Sequence, residues 1–204
     1  MIDLAGSLEA ARRQHAEGCV KTAEDLARYR EVIARTAPDG VIEIGTFSGK
    51  SAVWFATETS APVVTVDVNP QVDDATRSAG EGTVTWLVGR SDDTHVINAV
   101  HQWVRNQQVA NPLVVLDGDH SAMTVATELL LYSPFVAVGG YCVVEDTLVR
   151  WMPWEMQPEG PYHGNPLDAV EGFLVRRPTW GNDQDLEDRY PTTQFPGGWL
   201  RRDS

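Results

Sequence analysis

The sequence contains only two cysteines, Cys19 and Cys142. Neither occurs in a C-x-x-C pair or in another spacing typical of metal ligands, so the pattern predicts neither a disulfide framework nor a zinc site. Cys142 lies within the apolar run 140–144 and is expected to be a small core residue rather than a reactive thiol.

Long apolar segments and basic charge are also scarce. No run approaches the roughly 20 apolar residues of a membrane span, and no basic segment followed by an apolar core opens the chain. The 29 acidic residues outnumber the 16 basic ones, which gives a formal net charge of −13. Such a charge repels phosphate backbones and anionic lipids. We therefore expect a cytoplasmic protein that binds neither nucleic acid nor a membrane surface.

The length of 204 residues suits one domain, because no repeat, linker or low-complexity segment divides the chain. Within it we distinguish an N-terminal helical segment (1–38), a core (39–150), and a loop with the final strands (151–204). Apolar residues recur at helical spacing between Ser7 and Thr36. This segment is expected to pack on the domain and to contact another subunit, so we expect a homo-oligomer.

Short apolar runs alternate with helical segments along the core. Near-continuous apolar strands are typical of a parallel sheet covered on both faces. The pattern therefore predicts an α/β fold with a mostly parallel, seven-stranded sheet and helices on both faces. Five strands are expected at 41–44, 63–66, 83–88, 113–116 and 141–144. The last two are expected within Tyr190–Arg202, with a turn at 196–198 between them.

Polar residues collect where the predicted strands end. Ligands of such sheets bind outside the carboxyl ends of the strands, so we predict the binding site at this edge. Its residues are Glu43, Gly45, Asp67, Ser91, Asp117, Glu145 and Asp146.

The first strand end carries the pattern E-x-G-x-x-x-G over residues 43–49. Its glycines allow a tight turn close to a ligand, and the following helix points its N–H groups toward that ligand. Asp67 ends the next strand about twenty residues on, where a carboxylate holds ribose hydroxyls in nucleotide-binding folds. Two other nucleotide sites fit less well. Phe47 interrupts a G-x-G-x-x-G pattern, and the loop before Lys50-Ser51 is one residue short of a phosphate-binding loop.

Three carboxylates, Asp117, Glu145 and Asp146, end neighbouring predicted strands and are expected to converge. Without a cation they would repel and raise each other's pKa, and oxygen ligands favour Mg²⁺ over zinc. A bound Mg²⁺ could orient two neighbouring hydroxyls of an acceptor and acidify one of them. His120, one turn beyond Asp117, could accept that proton near neutral pH. The alternative is that one or two of these acids cap helices.

The motifs at 43–49, 116–120 and 144–147 together resemble those of the cephalosporin hydroxylase / rhamnosyl O-methyltransferase family, and the likeness extends over most of the chain. The resemblance implies a Rossmann-like class I methyltransferase fold with S-adenosylmethionine and Mg²⁺ as cofactors. It also implies a small-molecule acceptor with a hydroxyl group, a sugar of a natural product such as an antibiotic.

The same resemblance assigns roles to individual residues. His120 would be the general base for the methylated hydroxyl, and Asp67 would bind the ribose. The Mg²⁺ ligands would be Asp117, Glu145 and Asp146. Near the adenine would lie Ser91 and Asp92. The other expected contacts with the cofactor are Glu43, Gly45, Thr46, Gly49, Ser51 and Asp117.

Two other functions stay open on the sequence alone. One is a catechol-type methyltransferase with the same metal chemistry and a flat phenolic acceptor. The other is a non-catalytic subunit that keeps the cofactor fold. The aromatic-rich loop 151–163 is a candidate lid over the acceptor, although its rings could equally pack in the core.

Overall fold

The computed structural model describes residues 2–17, 21–152 and 164–204. The α-helices within these residues are α1 (Leu4–Glu17), α2 (Ala23–Thr36), α3 (Lys50–Thr59), α4 (Asp74–Ala79), α5 (Thr94–Gln107), α6 (Ala122–Tyr132), α7 (Pro166–Arg176) and α8 (Gln184–Glu187). The strands are β1 (Gly40–Ile44), β2 (Val63–Asp67), β3 (Val84–Val88), β4 (Pro112–Leu116), β5 (Tyr141–Val144), β6 (Trp180–Asn182) and β7 (Trp199–Arg202). Short 3₁₀ turns follow α6 and β5.

The strands form one sheet of seven in the order β3-β2-β1-β4-β5-β7-β6. Strands β1 to β5 pair in parallel, whereas β7 runs antiparallel to both of its neighbours. The predicted seven-stranded, mostly parallel sheet is therefore confirmed. The first five strands lie within one residue of their predicted bounds, because each is a short apolar run buried between two layers of helices.

Alternate side chains of the central strands supply two hydrophobic cores. In β1, Ile42 and Ile44 belong to the core formed with α5, α6 and α7, whereas Val41 belongs to the core formed with α2 and α3. Cys142 is fully buried in the first core, as expected from the apolar run around it. Helices thus cover both faces of the sheet, which leaves the carboxyl edge of its strands as the place for a polar site.

The prediction of the last two strands was wrong. They were expected within 190–202, but β6 lies earlier at Trp180–Asn182, and only β7 falls in the predicted range. The segment before β7 is instead held by α2. Arg28 donates hydrogen bonds to the carbonyl oxygens of Glu187, Tyr190 and Thr192, at 2.7 Å in each case. These carbonyls thus bind a guanidinium, and residues 190–198 contain no strand.

The N-terminal region forms two helices, α1 and α2, rather than the one helical segment predicted from 7 to 36. Helix α2 begins after Thr22, whose side chain accepts a hydrogen bond from the Asp25 backbone N–H. The predicted helix from Leu167 to Val175 is confirmed as α7.

Among the described residues, none of the helices has the length and apolar character that crossing a membrane requires.

Candidate functional site

A cavity of about 480 Å³ opens at the carboxyl edge of the sheet. This volume lies in the range of small-molecule binding sites. The predicted site residues that line the cavity are Gly45, Asp67, Ser91, Asp117, His120 and Asp146. The predicted site residues outside its lining are Glu43, Thr46, Gly49, Ser51, Asp92 and Glu145. The strand ends thus meet at one cavity, as the sequence predicted, but only half of the predicted residues face it.

Gly45 brings the loop after β1 against the loop after β4. Its φ is +101°, and a Cβ atom built on it would lie 1.9 Å from the carbonyl oxygen of Asp117. The Asp117 N–H donates a hydrogen bond to the Ile44 carbonyl at 2.7 Å, which also holds the two loops together. Glycine is required here because any side chain would push the two loops apart. Gly49, by contrast, makes room for the ring of Trp86.

The Asp67 carboxylate is held in one orientation at the end of β2. Its Oδ2 accepts a hydrogen bond from the Phe47 N–H, and its Oδ1 accepts one from the Asn69 N–H, both at 2.8 Å. Each carboxylate oxygen can accept a second hydrogen bond. Asp67 therefore presents two acceptors of fixed position to the cavity, which suits a ligand with two neighbouring hydroxyls.

Glu43 is fully buried behind the cavity wall. Its Oε2 accepts a hydrogen bond from Thr65 Oγ1 at 2.6 Å, and Thr65 Oγ1 lies 2.7 Å from Thr46 Oγ1. Its Oε1 has no hydrogen-bond partner among the described residues, although the Ser51 hydroxyl is close enough to favour the ionised form. Burial raises the pKa of Glu43 to about 7 despite the nearby positive charge of Lys21. Contact of Glu43, Thr46 and Ser51 with a cofactor stays a prediction.

Ser91 and Asp92 follow β3 and differ in what they contact. The Ser91 hydroxyl donates to Glu128 Oε1 at 2.6 Å, and its carbonyl accepts a hydrogen bond from Tyr132 at 2.6 Å. Ser91 is therefore fixed to α6 at the cavity wall. Asp92 instead forms an exposed two-point ion pair with Arg90. Its predicted place near an adenine is untested.

Asp117, His120 and Asp146 form a cluster that could hold a metal ion. One ligand atom from each side chain lies within 4.8 Å of the others. Within the cluster, His120 Nε2 lies 3.1 Å from Asp146 Oδ2. Two carboxylates with one imidazole suit a hard or borderline divalent cation. The predicted ligands Asp117 and Asp146 are thus brought together, with His120 beside them.

Glu145, the third predicted ligand, points to a different partner. Its two carboxylate oxygens lie 2.6 and 2.7 Å from Lys21 Nζ, and Oε1 also accepts a hydrogen bond from the Tyr29 hydroxyl at 2.5 Å. Lys21 Nζ also contacts Asp117 Oδ2 at 3.1 Å. The charges of Asp117 and Glu145 raise the pKa of Lys21 above its usual value despite its burial. Glu145 therefore faces an ammonium, and its role as a metal ligand stays a prediction.

The aspartates of the cluster determine the protonation of His120. Burial alone would lower the pKa of His120, but the hydrogen bond to Asp146 and the charges of the neighbouring aspartates raise it to about 9. Burial also opposes ionisation of Asp146, yet the same hydrogen bond and the charge of His120 hold the pKa of this carboxyl below its usual range. The two side chains thus stabilise each other in their charged forms.

Three site residues were missed from the sequence, namely Lys21, Tyr29 and Glu128. Lys21 and Tyr29 reach Glu145 across more than 100 positions of the chain, and no local pattern encodes such a contact. Glu128 did leave a signal. It is an acid on the face of α6 that carries the buried residues Val125 and Tyr132. The predicted lid residues 153–163 lie outside the described residues.

Comparison with known proteins assigns the chain to a family. The family described as rhamnosyl O-methyltransferase/CmcI matches residues 13–203. A rhamnosyl O-methyltransferase of Mycobacterium bovis (strain BCG / Pasteur 1173P2) is 31% identical over 190 residues, which cover 90% of this chain and 75% of that protein. The chain belongs to the rhamnosyl O-methyltransferase/CmcI family. This membership confirms the resemblance seen in its motifs and the expectation of an S-adenosylmethionine-dependent O-methyltransferase.

Solved structures share the fold. CmcI determined with Mg and SAM superposes with a TM-score of 0.60 at 16% identity, over 90% of this chain and 73% of that one. MycE from the mycinamycin biosynthetic pathway, determined with Mg and SAH, gives a TM-score of 0.54 at 16% identity, over 86% of this chain and 48% of that one. The Rossmann-like class I methyltransferase fold is thereby confirmed. The ligands of both neighbours agree with the cofactors expected from the sequence.

Proposed function

We propose that this protein uses S-adenosylmethionine and Mg²⁺ to methylate a hydroxyl of a small molecule, a sugar of a glycosylated natural product. The observation that carries the proposal is a single cavity lined by two kinds of group. One is the fixed carboxylate of Asp67, and the other is the cluster of Asp117, His120 and Asp146. A nucleoside-binding acid beside a metal-binding cluster is what such a reaction requires.

The cavity fits the cofactor by the chemistry of its lining. The two fixed oxygens of Asp67 are acceptors for the two ribose hydroxyls, because backbone N–H groups already hold the carboxylate in place. Gly45 keeps the loop after β1 close to Asp117, so backbone rather than side chain forms this wall. Anionic side chains also favour a ligand that carries a sulfonium charge.

The acidic cluster fits Mg²⁺ by its donor set. Asp117 and Asp146 supply carboxylate oxygens, the ligands that this ion prefers. Glu145 directly precedes Asp146 in the chain. When bound, S-adenosylmethionine supplies an electrophilic methyl group, and Mg²⁺ acidifies and orients an acceptor hydroxyl. Lys21 balances part of the negative charge of these acids in the protein alone.

His120 is the proposed proton acceptor. Among the described residues it is the one histidine that lines the cavity. In the protein alone, His120 is held as an imidazolium by Asp146, whose Oδ2 lies 3.1 Å from Nε2. A divalent cation held by Asp117 and Asp146 would compete for these carboxylates and lower the pKa of His120, so that the neutral imidazole could accept the proton of the acceptor hydroxyl. Asp146 would thus couple metal binding to the protonation of His120, because it is both a proposed metal ligand and the hydrogen-bond partner of the imidazole.

Family membership supports a sugar as the acceptor. The Mycobacterium bovis relative is named a rhamnosyl O-methyltransferase, and MycE belongs to a biosynthetic pathway for mycinamycin. We extend this acceptor class to the present chain because both its sequence and its fold agree with these proteins. A catechol has two neighbouring hydroxyls as well, so the acceptor must be tested directly.

A transfer assay tests the proposal. The protein is incubated with S-adenosylmethionine labelled in its methyl group and with either a methyl rhamnoside or a catechol, in Mg²⁺ or in EDTA. We expect labelled rhamnoside in Mg²⁺, none in EDTA, and little product from Asp146→Asn. Label in the catechol alone would assign a phenolic acceptor. Cofactor binding without transfer to any glycoside or catechol would contradict catalysis and support the non-catalytic subunit.

A further inference from the structure

Glu128 is a buried carboxylate of the cavity wall that the proposed mechanism does not use. It lies on α6, is only 1% exposed, and lines the cavity. Its Oε1 accepts the hydrogen bond from Ser91 at 2.6 Å. Its Oε2 has no hydrogen-bond partner among the residues that the structure describes.

An unsatisfied carboxylate oxygen in such a place is costly for the fold. Buried polar atoms are nearly always hydrogen-bonded, and leaving one without a partner costs stability. The neighbours of Glu128 on the buried face of α6 are apolar or aromatic, namely Val125, Leu129 and Tyr132. An apolar residue would fill this position without the cost. The free oxygen therefore indicates a donor that arrives with a ligand.

The position of Glu128 in the cavity indicates which part of a ligand reaches it. Asp67 ends β2, and Ser91 follows the neighbouring strand β3. The hydrogen bond from Ser91 therefore joins Glu128 to the part of the cavity wall that follows β3, next to the strand that Asp67 ends. Gly118 leaves space beside it, since a Cβ built there would lie 3.7 Å from Glu128 Oε1. Val68, which is 62% exposed, adds an apolar contact for a planar ring.

We propose that Glu128 recognises the adenine of the cofactor by accepting a hydrogen bond at Oε2 from the exocyclic amine, while Ser91 holds Oε1. The inference rests on the proposed function, which places S-adenosylmethionine in this cavity. Adenine has an N–H donor at this position, whereas hypoxanthine has a carbonyl oxygen that a carboxylate repels. Glu128 is thus a specificity-determining residue for the base.

Binding of two nucleosides that differ only at this group tests the proposal. S-adenosylhomocysteine and S-inosylhomocysteine are titrated by calorimetry into the wild type, Glu128→Gln and the control Glu81→Gln, an exposed glutamate. Burial raises the pKa of Glu128 to about 7, so the titrations are done at about pH 8.5, where the carboxyl is ionised. Circular dichroism of each variant confirms that it is folded.

We expect the wild type and Glu81→Gln to bind the adenine compound about ten- to a hundred-fold more tightly than the hypoxanthine compound. This ratio of dissociation constants corresponds to the free energy of one hydrogen bond to a charged group. In Glu128→Gln the preference should fall to about threefold or less, because an amide can present either an N–H or a carbonyl. Ser91→Ala should reduce the preference in part, since Glu128 loses its fixed orientation.

The outcomes separate this inference from the proposed function. A wild type that binds S-adenosylhomocysteine, together with an unchanged preference in Glu128→Gln and Ser91→Ala, would overturn the role of Glu128 alone. A wild type that binds neither compound would overturn the proposed cofactor and this inference with it.

Discussion

Lys21 Nζ lies 2.6 Å from Oε2 and 2.7 Å from Oε1 of Glu145, and both side chains are almost completely buried. The same ammonium contacts Asp117 at 3.1 Å. In the protein without a metal ion, Lys21 therefore supplies a positive charge at the acidic end of the cavity. A divalent cation bound there would be repelled by this nearby positive charge.

Replacing Lys21 should have opposite effects on stability and on metal binding. Lys21→Met leaves the buried Glu145 carboxyl without its ion-pair partner, so we expect the metal-free protein to lose about 3 kcal/mol of unfolding free energy. Because a like charge is removed, Mg²⁺ should bind about tenfold more tightly. Urea denaturation and calorimetry measure the two effects. The chain has one other lysine, the exposed Lys50, and Lys50→Met is the control. Weaker Mg²⁺ binding in Lys21→Met would refute this interpretation.

Mg²⁺ binding should depend on Asp146 but not on Asp119, which lies nearby in the cavity wall. Asp146 belongs to the cluster with Asp117 and His120, whereas Asp119 accepts a hydrogen bond from the Ser121 N–H and lies outside that cluster. We expect Asp146→Asn to weaken Mg²⁺ binding by at least about tenfold. Asp119→Asn keeps its side-chain oxygen and should bind as the wild type does. Equal loss in the two variants, measured by calorimetry, would show that the cluster is not the metal site.

The stability of the protein should fall with rising pH because of Glu43. Its pKa is about 7 in the folded protein against a usual 4.5, so the folded state holds the proton more tightly than the unfolded state. This contribution to the unfolding free energy is fully present below pH 4.5 and is lost as the pH rises through 7. The unfolding free energy of Glu43→Gln, minus that of the wild type, should therefore increase by about 2 kcal/mol from pH 5 to pH 8. A constant difference in urea unfolding free energy would contradict this.

Gly45→Ala should damage the fold far more than a change at another glycine with positive φ. The new methyl group would overlap the Asp117 carbonyl, so we expect a loss of about 3 kcal/mol or more. Gly82 has φ +78° with no atom within 4 Å of its Cβ position. Gly82→Ala should therefore cost only about 1 kcal/mol, the backbone strain alone. Similar unfolding midpoints for the two variants would argue against the contact between the loops.

The sequence predicted the sheet well and its last strands poorly, for physical reasons. Buried parallel strands are continuous apolar runs, so the first five could be located from composition alone. Strand β6 is three residues long and contains Gly181, which gives no such signal. The glycine-containing turn at 196–198 resembled a hairpin, but the chain before it is held by Arg28. The single-domain organisation and the homo-oligomer remain predictions.

The site could be predicted only where the fold itself brings residues together. Asp117 and Asp146 follow adjacent parallel strands, β4 and β5. The carboxyl ends of parallel strands meet at one edge of the sheet, so the two residues could be expected side by side. Lys21 approaches from before α2, and its pairing with Glu145 depends on how the N-terminal helices pack. That packing is a tertiary property, so the sequence pattern of either segment does not contain it.

Binding of S-adenosylmethionine is the most direct test of the account, because the proposed roles of Asp67, His120 and Glu128 depend on it. Equilibrium dialysis with labelled S-adenosylmethionine is done on the wild type, Asp67→Ala and, as control, Asp74→Ala, a change outside the cavity. The account predicts saturable binding to the wild type and Asp74→Ala, and binding at least about tenfold weaker to Asp67→Ala. No binding to the folded wild type, or equal binding to all three proteins, would contradict it.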